Sequence, residues 1–190
     1  MAHGADGSPA EESVGSGRVT APGNPPASQR EKLGRRLEVL ATKLTNTNER
    51  LAEDWPKEGE QEEQVANFWR NGLEEVKNGV VSCQRLERKC RAVIQGDKGQ
   101  PLPYVARKQL DEAMRQFRTA IRLARRDTLA AIHALEGRQR PTTRSDLYDR
   151  AVDQLAELSE RCAGLATQMC GEKGLPPARP PVTPEAGGPH

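Results

Sequence analysis

Residues 110–132 read LDEAMRQFRTAIRLARRDTLAAI, in which Leu110, Met114, Phe117, Ile121, Ala124, Thr128 and Ile132 recur at steps of three and four. Such spacing marks a helix that buries one stripe and leaves its other faces to water. The same pattern recurs in three further segments. Leu33, Leu37, Leu40, Leu44 and Leu51 form one stripe, with Thr47 filling the missing step. Val65, Trp69, Leu73, Val76, Val80, Cys83 and Cys90 form a second, with Leu86 one position off the ideal place. Leu147, Ala151, Leu155, Leu158, Cys162, Leu165 and Met169 form the last. All four segments are rich in Leu, Ala, Glu, Gln and Arg, the residues that lose least in a helix.

Between Gln29 and Cys170 the prolines are Pro56, Pro101, Pro103 and Pro141, and Gly59, Gly96, Gly99 and Gly137 accompany them. Proline ends helices, so these positions set three turns. The expected helices span 29–54, 60–95, 103–136 and 144–170. Ser28 with Glu31 has the capping-box spacing, and Thr143 with Asp146 is a weaker version of it.

In an antiparallel hairpin, facing positions have residue numbers of constant sum. The third and fourth stripes fit a sum of 279, which pairs Phe117 with Cys162 and centres the turn between Arg138 and Thr142. The second and third fit 200, and the first and second fit 116, which pairs Leu40 with Val76. The expected fold is therefore an all-α, up-down-up-down four-helix bundle with coiled-coil-like packing, its longer helices roughly 50 Å. An extended coil completed only in an oligomer is the rival. Gly and Pro crowd into residues 1–28 and 171–190, so both ends read as disordered tails, and the Pro-rich run from Leu175 to Pro181 favours an extended polyproline conformation.

The chain has 190 residues, with 29 Lys or Arg against 27 Asp or Glu, a net charge of +2 that excludes a uniformly basic or acidic protein. Its aromatic residues are Trp55, Phe68, Trp69, Tyr104, Phe117 and Tyr148, few for the walls of a substrate pocket. No stretch resembles a secretory signal or a membrane span, which points to a reducing, cytoplasmic setting, the nucleus being the alternative.

Cys83 and Cys90 stand seven apart, and Cys162 and Cys170 eight apart. Helices two and four would lie on the bundle diagonal, too distant for a disulfide, so buried reduced thiols are expected. The histidines are His3, His133 and His190, without zinc spacing, and no nucleotide-binding glycine motif occurs. No catalytic residue, metal or cofactor is expected.

The third helix also carries Arg107, Lys108, Arg115, Arg118, Arg122, Arg125 and Arg126, and Arg138, Arg140 and Arg144 follow in the turn. From Pro101 to Ser145, 10 basic residues face 4 acidic ones, a local charge of +6. Such a stripe suits phosphate or an acidic partner. Asp153, Glu157 and Glu160 of the fourth helix are expected to pair with it. The sequence thus points to a non-enzymatic helical scaffold or complex subunit that binds protein partners or itself, with no membrane and no small-molecule substrate. The alternative is a nucleic-acid-associated, self-assembling coat or packaging subunit that uses these arginines.

Overall fold

The computed structural model describes residues 28–53, 62–96, 102–137 and 146–171. Within them lie α1 (Gln29–Glu53), α2 (Glu62–Gly96), α3 (Tyr104–Glu136) and α4 (Asp146–Cys170), and no strand occurs among the described residues. The expectations for both tails, the proline-rich run, Thr143, Arg138, Arg140 and Arg144 lie outside the described residues. Ser28 Oγ accepts the Glu31 backbone N–H at 3.1 Å, so one arm of the capping box forms, while the Glu31 carboxylate turns to Arg35 at 3.2 Å. Gly171 closes α4 at φ 69°, a left-handed position that glycine takes without a side-chain clash.

The four helices form a bundle. α4 is its hub: it packs on α1, α3 and α2, whereas α1 and α3 do not meet. The bundle is thus rhombic, with α2 and α4 across its short diagonal. This corrects the expectation that these two are held apart. Glycine on α2 is the cause: a Cβ at Gly72 would stand 3.1 Å from the Tyr148 ring, and one at Gly79 would stand 3.3 Å from Leu155. Tyr148 fills the space and stacks on Trp69, ring centroids 5.3 Å apart.

The seam between α1 and α4 is closer still. Gly34 and Ala41 on α1 meet Ser159 and Ala166 on α4, all buried, and a Cβ at Gly34 would lie 3.1 Å from the Ala166 carbonyl oxygen. Small residues seven apart let the backbones approach until side chains reach across to carbonyls. Ser159 donates to the Ala41 carbonyl at 2.7 Å, so Thr45, 2.7 Å from the same hydroxyl, donates to Ser159. Asn48 donates to the Val152 carbonyl at 2.8 Å.

These contacts fix the registers. Gln154 donates to Asp127 and Arg161 to Gln116, pairs whose numbers add to 281 and 277 and straddle the expected 279. Between α1 and α2 the expectation fails. Arg50 pairs with Glu75, and Leu44 lies against the Gly79 position, sums of 125 and 123 in place of 116. The slip is one heptad, about 10 Å along the helix. A heptad stripe matches equally well at any shift of seven, and the 54–61 connection is long enough to accept either.

The stripes bury as expected along α2, but elsewhere the buried arc shifts or widens. Ile132, Leu147 and Thr47 are half-buried, while Ala131, Tyr148, Val152 and Ser159 are buried. A helix that touches three neighbours must hide more than one stripe. Phe117, Cys83 and Cys162 are all fully buried.

Candidate functional site

Most arginines of the α3 stripe are engaged. Arg107 pairs with Asp111 at 3.4 Å, Arg126 with Asp127 at 3.0 Å, Arg115 with Glu112, and Arg118 with Glu87 of α2 at 3.1 Å. The expected α4 partners are not the ones used: Glu157 binds Arg161 of its own helix at 2.7 Å, and neither Asp153 nor Glu160 makes a salt bridge among the described residues. Neighbours at i+1, i+3 and i+4 on the same helix reach these guanidiniums at less entropic cost than a second helix does. Arg122 and Arg125 are exposed and, like Lys108, form no ion pair among the described residues. Arg138 and Arg140 fall outside the described residues.

Glu87 is the one buried carboxylate among the described residues, 5% exposed. Arg91 and Arg118 each place Nε 3.1 Å from its Oε1, so two cations neutralise one buried anion. Glu87→Ala should therefore cost about 1.5 to 3 kcal/mol, the range of hydrogen bonds to charged groups. Both arginines keep nearly half their surface in water, which holds the loss below that of a sealed pair. A urea titration measures it.

All four cysteines are free, and Cys83, Cys90 and Cys162 are buried. The short diagonal brings the Cys162 thiol into hydrogen-bonding contact with Cys83, which together with burial pushes its pKa up; it also reaches the Leu37 carbonyl at 3.4 Å. Burial pushes Cys90 up to about 12. Neutral, packed thiols are poor nucleophiles. The folded chain therefore keeps the Cys90 proton after the unfolded chain has released it at an ordinary thiol value of about 9. Its contribution to stability is full below pH 9 and falls as pH rises toward 12. Alkylation at pH 8 should label Cys170, which is half-buried, well before the other three, and labelling of Cys90 should track global unfolding. No cluster of three or more His, Cys, Asp or Glu gathers among the described residues.

A second basic feature lies between α1 and α2, where packing is sparser than along the α1–α4 and α3–α4 seams. There an open trough of about 530 Å³ has Leu40 and Leu86 in its floor and Val39, 72% exposed, on its lip. Arg35, Arg36 and Lys43 line it from α1, and Arg85 and Lys89 from α2, with no acidic residue in its lining. Arg35 is paired with Glu31; Arg36, Lys43, Arg85 and Lys89 form no salt bridge among the described residues. Sequence reading misses this site because its cations sit on two helices. At a sum of 116 Lys89 faces residue 27, beyond the helix; at 123 it faces Gly34 and Arg85 faces Glu38, so all five cations share one stretch. No helix among the described residues is long and apolar enough to cross a membrane. Set against protein families, curated proteins and solved structures, the chain matches none.

Proposed function

We propose that this chain is a non-enzymatic helical interaction protein, a scaffold or subunit of a protein complex working in the cytoplasm or nucleus, and that the α1–α2 face is where partners engage. The observation that carries this is four cations without ion pairs along an apolar floor. Along α3, by contrast, Arg107, Arg115, Arg118 and Arg126 each stand beside a carboxylate. The α1–α2 face keeps like charges together at the edge of buried leucines, an arrangement that a counter-charged, partly apolar surface would relieve.

Co-purification with the full chain tests the proposal. Polypeptides held by the wild type should be lost with Arg36→Glu/Lys89→Glu and kept with Arg107→Gln/Arg115→Gln, which alters only paired residues of α3. Equal recovery with all three proteins would contradict it.

One observation favours a second reading. Arg122 and Arg125 sit unpaired on the exposed side of α3 beside Leu123, which is 38% exposed. As a phosphate site this face would bind RNA at low salt with a linear log–log salt dependence. Arg115→Gln/Arg118→Gln/Arg122→Gln/Arg125→Gln would then lower the slope by about one unit per phosphate contact removed. Absence of salt-dependent RNA binding in a filter assay would dismiss the packaging alternative.

A further inference from the structure

The cationic residues of the α1–α2 trough have a spacing as well as a sign. Arg36 and Lys43 are seven apart on α1, and Arg85 and Lys89 are four apart on α2, so each lip repeats its charge at helical intervals. Two smaller hollows lie on the same seam, one by Ser28 and Gly96 and one by Thr47 and Glu75, the latter sharing Leu40, Lys43 and Ser82 with the trough. The stretch of α1 from Ser28 to Thr47 that the three hollows flank is about 30 Å long, which matches a ligand helix of about 20 residues. Its floor is a narrow apolar line between two charged lips. No carboxylate enters the lining of the trough itself, although Glu31 reaches Arg35 at its edge.

We propose that the α1–α2 trough docks an acidic amphipathic helix supplied by a protein partner. Its apolar stripe lies on Val39, Leu40 and Leu86, and its carboxylates engage Arg36 and Lys43 on one side and Arg85 and Lys89 on the other. This rests on the interaction-protein reading and names the chemistry of the partner. A nucleic-acid backbone satisfies the cations but leaves the leucine floor wet. An anionic membrane meets a concave trough with one protruding apolar side chain, Val39, where burial in lipid needs a projecting apolar face. A helix with acids flanking an apolar stripe satisfies both the floor and the lips.

The test uses the full chain and a fluorescein-labelled synthetic peptide of three heptads, with Leu at the two stripe positions and Glu on both flanks. The flanking carboxylates also keep the peptide from pairing with itself. Fluorescence anisotropy at about 0.1 M salt should show saturable binding, weakening as salt rises. A peptide with Lys in place of every Glu should not bind. Arg36→Glu/Lys89→Glu should weaken the acidic peptide by about tenfold or more and gain affinity for the Lys peptide. Val39→Asp should weaken the acidic peptide as well. All three substituted positions are exposed, and circular dichroism confirms the fold of each variant.

Failure of the acidic peptide to bind overturns the proposal, as does equal binding by wild type and Arg36→Glu/Lys89→Glu. So does stronger, trough-dependent binding of a uridine oligonucleotide or of phosphatidylserine vesicles, which would assign the cations to phosphate. Concentration-dependent dimerisation that Arg36→Glu/Lys89→Glu abolishes would make a second copy the occupant, and it overturns the proposal too. If the peptide fails while co-purifying polypeptides are still lost with Arg36→Glu/Lys89→Glu, the acidic-helix assignment falls and the interaction reading stands. If those polypeptides are indifferent to that variant, both fall.

Discussion

Phe117→Ala should lower the unfolding free energy by about 3 to 5 kcal/mol, the range for truncating a buried aromatic side chain. Phe117 is fully buried, as are Cys83 and Cys162, so no water-exposed side chain can swing in to fill the void. The surrounding residues include small ones, Ala120 and Ala124 among them, which cannot relax far enough to close it. A urea titration should show the midpoint fall with an unchanged slope, the mark of lost stability without altered denatured-state compactness. A loss below about 1 kcal/mol would place Phe117 at a site that tolerates exposure.

Gly34→Leu should cost about 3 kcal/mol and loosen α1 from α4. Replacing glycine inside a helix gains about 1 kcal/mol of intrinsic propensity, so any net loss is a direct measure of the closed seam. The Cys170 Sγ would lie 2.5 Å from the new Cβ and must rotate away, and behind it stands backbone, the Ala166 carbonyl oxygen at 3.1 Å and the Cys170 amide nitrogen at 3.3 Å. Main chain cannot rotate aside as a flexible side chain does, and overpacking typically costs 1 to 3 kcal/mol even where it can. The cross-helix hydrogen bonds from Ser159 and Asn48 depend on the same approach and would lengthen with it. Hydrogen exchange should accelerate along α1 first. Gly34→Leu at wild-type stability would show that the seam is open.

Much of the fold could be read from the apolar stripes and the prolines. Leucines at steps of three and four and a Pro-Gly pair at each turn are local signals that need no knowledge of the partner helix. The register of α3 on α4 was also legible, because the turn position and the stripe agreed on it. Three things were not. The α1–α2 register was degenerate by a heptad, since Leu40 meets Val76 as comfortably as Cys83. Closing the ring removes the degeneracy: Cys162 lies level with Phe117 on α3 and Leu37 on α1, whose carbonyl it reaches, and Cys83 meets it across the diagonal. Numbers 37 and 83 add to 120, between the two registers, and Leu44 against Gly79 with Arg50 on Glu75 completes the choice of 123. The small residues were silent because Gly34, Ala41, Ser159 and Ala166 carry no apolar pattern, yet they decide which helices approach. Glu87 was hidden because a charged residue in a helix reads as solvated, and only its two arginines make burial affordable.

The same register error concealed the candidate site. The α3 arginines draw attention because they are dense in one segment, but most are neutralised by residues one to four positions away or by Glu87. The α1–α2 cations are sparse in each segment and become a site only when the helices are set side by side.

A photo-crosslinking amino acid placed at position 39 reports whether partners meet the chain at the proposed α1–α2 face. Val39 is exposed on the lip of the trough, so the substitution leaves the core intact. A discrete polypeptide adduct should form at position 39 and be suppressed by excess acidic amphipathic peptide, with none from the same group placed at position 122 on α3. A nuclease-sensitive adduct from position 122, with no polypeptide captured at position 39, would contradict the proposal.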